Sequence, residues 1–356
     1  MKRPQVRADL ALIESYHSPQ VDVEVRLNTN ESPTPPPAAW RDALTAEMAR
    51  IDWHRYPDRA VADLRAALAA QYQVDQAMVF AANGSNEVLQ ALLLAFGGPG
   101  RAAAVFEPTY ALHSHISKIT GTSLVVGERG SDFALEVAEV DRILDLEPAV
   151  LFLCSPNNPT GVVDPEPLVR HVAERARNQG TLVVVDEAYG QFAPWSALEL
   201  VDDDNTVVVS RTFSKTWSMA AARLGYAVAP TWVVDALESV TLPYHLDAAK
   251  QVAGRLALRF VDHMHERVSQ LVAERERVVA GLGELDLTQW PSGANFVLFR
   301  PNSVSGQAVW EALLDRGVLV RNCASWPRLE DCLRVTIGTQ AENDAFLRAL
   351  GEILGQ

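Results

Sequence analysis

Between residues 78 and 229 the sequence alternates short, β-branched apolar runs with longer helix-patterned segments, and this alternation constrains the fold more than any other feature. The runs read as strands at 78–82, 103–106, 124–126, 150–154, 181–185, 206–209 and 225–229. They are nearly continuous in hydrophobicity, as strands buried on both faces are, and their spacers are long enough for crossover helices. Such an alternation predicts an α/β fold around a mostly parallel sheet. Open sheets of this kind bind ligands outside the carboxyl ends of their strands. Polar residues directly after the runs are therefore the candidates for chemistry.

Three runs lead into such residues. They are followed by Cys154-Ser155-Pro156-Asn157-Asn158-Pro159-Thr160-Gly161, by Asp186-Glu187-Ala188-Tyr189, and by Ser210-Arg211-Thr212-Phe213-Ser214-Lys215. A lysine at the end of a buried strand is hard to desolvate as a cation. Desolvation favours its neutral amine, the form that condenses with an aldehyde to a Schiff base. Thr212, Ser214 and, eight positions after the lysine, Arg223 supply two hydroxyls and a forked cation suited to a phosphate. An aldehyde-binding lysine beside a phosphate site describes pyridoxal phosphate; a loop lysine with a solvated arginine is the alternative. Asp186 follows Val183-Val184-Val185, where a carboxylate needs a positive partner. A protonated pyridine nitrogen at ~4 Å and an effective dielectric of ~20 contributes about 4 kcal/mol, roughly three pK units. A helix cap or an arginine pair would also satisfy it. Gly84-Ser85-Asn86 at a strand-to-helix turn offers N–H groups and a positive helix end to a phosphate, or is an ordinary N-cap. Asn158 is placed to donate to a phenolic oxygen and Tyr110 to stack on a ring, with plain packing the alternative for a single aromatic.

The remaining sequence sets the frame. A chain of 356 residues has room for a large and a small domain. The expected division is an N-terminal arm at 1–37, a large domain at 38–235 and a small α+β domain at 236–356. Pro35-Pro36-Pro37 gives a rigid entry to a helix over 38–50, and a second helix runs to about residue 72. Beyond residue 236 a long helical stretch at 247–282 precedes strands at 295–299, 318–321 and 332–337, with helices at 306–316 and 341–354. The net charge of −14 argues against a broad nucleic-acid surface, and no apolar run approaches membrane-spanning length. Cys154, Cys323 and Cys332 show no paired spacing, so neither a disulfide framework nor a structural zinc is expected, and a reducing cytoplasm fits. His263 with His265, and His113 with His115, stand two apart on helices, so solvated faces and no metal are expected.

In order along the chain come Leu27-Asn28-Thr29-Asn30-Glu31-Ser32-Pro33, Arg55-Tyr56-Pro57-Asp58, Ala82-Asn83-Gly84-Ser85-Asn86-Glu87 and Glu107-Pro108-Thr109-Tyr110. Then follow the three motifs above, Arg223-Leu224-Gly225-Tyr226, Leu242-Pro243-Tyr244-His245-Leu246 and Arg334-Val335-Thr336-Ile337-Gly338-Thr339. In these motifs the chain resembles the fold-type I pyridoxal-phosphate aminotransferases of class I/II, most of all the histidinol-phosphate aminotransferases. The resemblance implies that Lys215 carries the cofactor and shuttles the proton. It implies that Asp186 faces the pyridine nitrogen, Asn158 and Tyr189 the phenolic oxygen, and Tyr110 the ring face. Ser85, Asn86, Thr212, Ser214 and Arg223 would hold the phosphate, with Tyr56 reaching the neighbouring subunit's phosphate in a homodimer. Arg334, aided by Arg321, would hold the substrate anion, with Tyr16, Asn30 and Tyr244 also at the substrate. The implied reaction is transamination of L-histidinol phosphate with 2-oxoglutarate. The alternatives are an aromatic-amino-acid aminotransferase, a threonine-phosphate decarboxylase and a non-catalytic binding protein on the same scaffold. Ser32 stands where the family frequently has asparagine, and residues 322–326 follow no assignable pattern.

Overall fold

All seven apolar runs become strands of one sheet. The computed structural model describes residues 3–7, 10 and 21–355. The strands are β2 (Val79–Ala82), β3 (Ala102–Glu107), β4 (Ser123–Glu128), β5 (Val150–Cys154), β6 (Leu182–Asp186), β7 (Val207–Thr212) and β8 (Gly225–Val228), in spatial order β2-β8-β7-β6-β5-β3-β4. Only β8 runs against its neighbours, pairing antiparallel with both β2 and β7. Side chains alternate between two cores. Val183, Val185, Val207 and Val209 face one, and Leu182, Val184 and Val208 face the other. That double burial is why these strands read as unbroken apolar runs. Helices α1 (Ala38–Met48), α2 (Ala62–Tyr72), α5 (Val137–Leu144) and α6 (Glu166–Gln179) contribute to the first core. Helices α3 (Ser85–Phe96), α4 (Ala111–Thr120) and α7 (Thr231–Val240) cover the other.

The helical stretch expected over 247–282 is two helices, α8 (Ala248–Ala257) and α9 (Val261–Gly283), separated by a tighter turn at Leu258–Phe260. Phe260 leaves helical geometry at φ −115°, ψ 34°. The break lets α8 lie on the large layer, where the Trp40 indole N–H donates to the Ala253 carbonyl at 3.2 Å. It sends α9 across to the second layer: Met264 belongs to the large core, whereas Leu271, Val278 and Leu282 belong to the small one. Leu246, Ala253, Leu256 and Ala257 also pack in the large core, so that layer extends well past the expected boundary at residue 235.

The second sheet has the order β1-β11-β12-β10-β9, from β1 (Val25–Leu27), β9 (Leu287–Gln289), β10 (Phe296–Pro301), β11 (Val318–Asn322) and β12 (Leu333–Thr336). Strand β1, from the N-terminal segment, pairs parallel with β11 through Val25 and Val318. Together with α9, α10 (Gly306–Asp315) and α11 (Gln340–Leu354) pack on this sheet. The last helix starts with a capping box in which Thr339 and Glu342 satisfy each other's backbone N–H groups. Among the described residues no helix is long and apolar enough to cross a membrane.

Candidate active site

A cavity of about 410 Å³ opens at the carboxyl ends of β5, β6 and β7, between the two sheets, and Lys215 lines it. The Lys215 ammonium donates to the Thr29 carbonyl at 3.0 Å and stands 5.7 Å from the centre of the Tyr189 ring. Burial above all, and then the positive charge of Arg334, brings its pKa down from 10.5 to about 7, with Glu31 opposing. At neutral pH a large share of this amine is unprotonated and nucleophilic.

Asp186, at the end of β6, is fully enclosed, and its two oxygens are separately held. Oδ1 accepts from the Ala188 backbone N–H at 3.1 Å, and Oδ2 meets His113 Nε2 at 3.0 Å. A carboxylate oxygen accepts, so His113 donates from Nε2. Its Nδ1 is buried without a hydrogen-bond partner. The His113 ring stacks on Phe152 at 4.7 Å and meets the Tyr110 ring edge-on at 5.4 Å. Asp186 is thus held in a fixed orientation inside the protein, which suits a cationic ring nitrogen.

The far end of the cavity gathers hydroxyl, backbone N–H and guanidinium donors of the kind that suit an anion. Gly84 at φ +83° turns the chain into α3, directing the first N–H groups of that helix toward Thr212, Ser214 and Arg223. Thr212 and Ser214 hydroxyls lie 3.0 Å apart, and Arg223 Nη1 donates to Ser214 Oγ at 3.3 Å. Strand β8 passes so close that a Cβ on Gly225 would stand 2.3 Å from the Ser85 nitrogen. Tyr110 Oη donates to Asn86 Oδ1 at 3.2 Å, tying the ring-stacking candidate to the same helix end.

On the opposite wall Tyr189 accepts from Asn30 Nδ2 at 2.8 Å. Burial pushes the Tyr189 phenol up to about 12, so it keeps its proton and remains a donor. Asn158 Oδ1 accepts a short hydrogen bond from Arg334 Nη1, which leaves Asn158 amide hydrogens to offer the cavity it lines. Arg334 also donates to the Asn28 carbonyl at 3.0 Å, while its Nε is buried without a hydrogen-bond partner. Arg321 lines the same wall from the adjacent strand.

A family model for the class I and II aminotransferases matches residues 22–350. The chain belongs to the class I and II aminotransferases. Among its relatives, the histidinol-phosphate aminotransferase of Frankia casuarinae is 46% identical over 98% of this chain and 90% of that one. The histidinol-phosphate aminotransferase of Mycolicibacterium smegmatis is 45% identical over 96% of this chain and 91% of that one. The crystal structure of histidinol-phosphate aminotransferase from Sinorhizobium meliloti in complex with pyridoxal-5'-phosphate has the same fold, with a TM-score of 0.85. It is 24% identical and covers 93% of this chain and 91% of that one.

This aminotransferase brings Lys215, Asp186, Tyr110, Asn158, Tyr189, Ser85, Asn86, Thr212, Ser214 and Arg223 to one cavity, with Asn30, Arg321 and Arg334 on its wall. The donor set fits an aldehyde-bearing pyridine with a phosphate: a low-pKa amine, a fixed carboxylate and a helix end too crowded at Gly225 to admit a side chain. Two expectations change. Tyr244 does not line the cavity; at φ +61° in the turn between α7 and α8, it stacks on Tyr56 with centroids 4.6 Å apart. His113, expected on a solvated face, is wholly buried against Asp186. The sequence offers one signal for it, a histidine in the first turn of the helix that follows Tyr110. Asn30 lines the cavity, with its side chain bonded to Tyr189 and to Thr336, whose hydroxyl donates to Oδ1 at 3.0 Å. Tyr16 lies outside the described residues.

Buried supports around the site escaped the sequence reading altogether. Glu187 accepts from Arg211 Nη2 at 2.7 Å and from the Ala197 N–H at 2.7 Å, which fixes the turn that carries Asp186 and Tyr189. Nothing local in the sequence pairs residues 187 and 211; they meet because β6 and β7 are neighbours.

Proposed function

We propose that this aminotransferase uses pyridoxal phosphate to transfer the amino group of L-histidinol phosphate to 2-oxoglutarate, giving imidazole acetol phosphate and glutamate. The observation that carries the reading is one cavity holding a lysine of pKa about 7, a histidine-held aspartate and two arginines on adjacent strands. The choice of donor is supported by the names of relatives 45–46% identical over nearly the full chain. When bound, the cofactor supplies the aldehyde that takes up an amino group and an electron-poor ring that accepts the pair left as the Cα proton departs. The chain supplies the rest. Asp186 faces the ring nitrogen, Asn158 and Tyr189 donate to the phenolic oxygen, and Ser85, Asn86, Thr212, Ser214 and Arg223 hold the phosphate. The neutral Lys215 amine takes the proton from Cα and returns it on the other side of the transfer. Arg334, with Arg321, binds a phosphate monoester in one half-reaction and a carboxylate in the other.

The working unit in this reading is a two-fold dimer in which Tyr56 of one subunit reaches the cofactor phosphate of the other. Tyr56 is 81% exposed and lies outside its own chain's cavity, which supports a role across an interface. A cytoplasmic setting is in keeping with three unpaired, buried cysteines. Half-reaction rates test the donor. Each charge-assisted hydrogen bond to the phosphate contributes ~1.5–3 kcal/mol, so two of them should favour histidinol phosphate over histidinol by ~10²–10⁴ in kcat/KM. Equal rates for histidinol phosphate, histidinol and phenylalanine would instead make this an aromatic-amino-acid aminotransferase.

A further inference from the structure

Arg321 and Arg334 are directly opposed on the antiparallel pair β11–β12. Like charges at opposed positions of a sheet face repel, yet both guanidinium groups are kept at the cavity wall. Each lies over an aromatic ring: Arg334 is 5.0 Å from the centre of Phe296, and Arg321 is 5.2 Å from that of Trp326. Arg334 is also fastened by Asn158 and the Asn28 carbonyl, independently of the connection between β11 and β12. Arg321 depends on Trp326 for its aromatic face, and Trp326 belongs to the connection between β11 and β12 that matched no sequence pattern.

That connection is tied to the large layer at both of its reaching side chains. The Trp326 indole N–H donates to the Thr109 carbonyl at 3.0 Å. Arg328 donates to the carbonyls of Glu107 and Arg129, each at 2.7 Å. Beneath the indole, Cys323, Leu329 and Cys332 pack with Phe133 and Leu298, and the Cys323 N–H donates to the Cys332 carbonyl at 2.9 Å. The indole is 8% exposed, and its edge is fixed next to Tyr110. A ring face orients a guanidinium plane laid against it.

We propose that Trp326 is a positioning residue that holds the Arg321 guanidinium at the cavity wall for a phosphate monoester, and so sets the preference for phosphorylated over unphosphorylated amino donors. The inference rests on the proposed reading of the donor. Because the anchors of Arg334 do not involve Trp326, loss of the indole face weakens the phosphate contact and spares donors that lack a phosphate.

The test compares Trp326→Phe, Trp326→Met and Trp326→Leu with the wild type, using histidinol phosphate and histidinol in the amino-donor half-reaction. In the Met and Leu variants the ratio of kcat/KM for the two donors should fall by about tenfold or more, through KM, with kcat for histidinol unchanged. Trp326→Phe keeps a ring face and should restore most of the ratio. Calorimetric dissociation constants for both donors, measured on Lys215→Ala protein with and without each substitution, should show the same change without turnover. Melting curves identify which variants fold; if neither Met nor Leu does, Arg321→Lys, which keeps a charge but gives up the planar face that lies on the indole, is compared with the wild type and should show the same fall in the ratio, an unchanged ratio overturning the inference. Variants that lose both donors alike, or a wild-type ratio retained in Trp326→Met, overturn the inference and leave the donor assignment standing. A wild-type ratio near one overturns the donor assignment itself, and this inference with it, before any variant is made.

Discussion

Lys215 is held as a cation only against the cavity's preference, and this has consequences for the residue alone. Its pKa is 10.5 in a free chain and about 7 in the folded protein. Between those values the unfolded chain binds a proton that the folded chain does not, so stability of the cofactor-free protein rises with pH across that window. The slope from one such group reaches about 1.4 kcal/mol per pH unit. Below pH 7 both states are protonated and the folded state carries the full desolvation penalty; above 10.5 the penalty is gone. Urea denaturation across this range should therefore show a rising contribution in the wild type that Lys215→Met lacks. Identical slopes in the two proteins would mean that the amine is not desolvated. His113 acts at the same scale by geometry: its contact with Oδ2 at 3.0 Å fixes the orientation of the Asp186 carboxylate.

At the scale of elements, the anion end depends on how closely β8 approaches the first turn of α3. A Cβ at position 225 would lie 2.3 Å from the Ser85 nitrogen and 2.5 Å from the Gly84 carbonyl carbon, and backbone on both sides leaves no flexible atom to yield. Gly225→Ala is expected to push the helix end away from Thr212 and Ser214. Its affinity for pyridoxal phosphate should fall at least tenfold, with a loss of stability of about 1–3 kcal/mol typical of overpacking. Gly283→Ala, where the nearest atom is the Gln289 side chain at 3.6 Å, is the matching control and should change neither quantity. Cofactor titration and melting curves on the two variants check this; equal affinities would show that the helix end does not hold the phosphate. The strands themselves were legible in the sequence because all but the edge strand β4 are buried on both faces. The break at Leu258–Phe260 was not, since the helical periodicity of α8 resumes in α9 and only the separation of the two cores requires the chain to turn there.

At the scale of the whole molecule, the exposed Tyr56–Tyr244 stack and the enclosed Lys215 cavity are separate features of one chain. If Tyr56 completes the site of a second copy, damage to the two features is complementary. Lys215→Ala and an inactive Tyr56 variant, mixed under conditions of subunit exchange, should form heterodimers with one doubly damaged and one intact site. Activity should return toward that of one site in each heterodimer. Exchange demonstrated by mass without any return of activity would place Tyr56 outside the neighbouring site. The same scale shows why the large layer outruns the expected boundary at residue 235: α8 buries Ala253, Leu256 and Ala257 in the first core, a destination that its own amphipathic pattern does not specify.

The sequence by itself determined the α/β class, the near-parallel central sheet and the strand ends that bear Asn158, Asp186 and Lys215. Those depend on local periodicity and on a carboxylate and an amine placed where burial is costly, and both are written in consecutive residues. Only the tertiary structure decided that His113 holds Asp186, 73 positions away, and that Trp326 is tied to Thr109, 217 positions away. It also decided that Tyr244 faces Tyr56 rather than the cavity. Contacts of that kind arise when separate elements pack, and a residue's partner is then chosen by which strands and helices become neighbours, a choice that no stretch of sequence around the residue encodes.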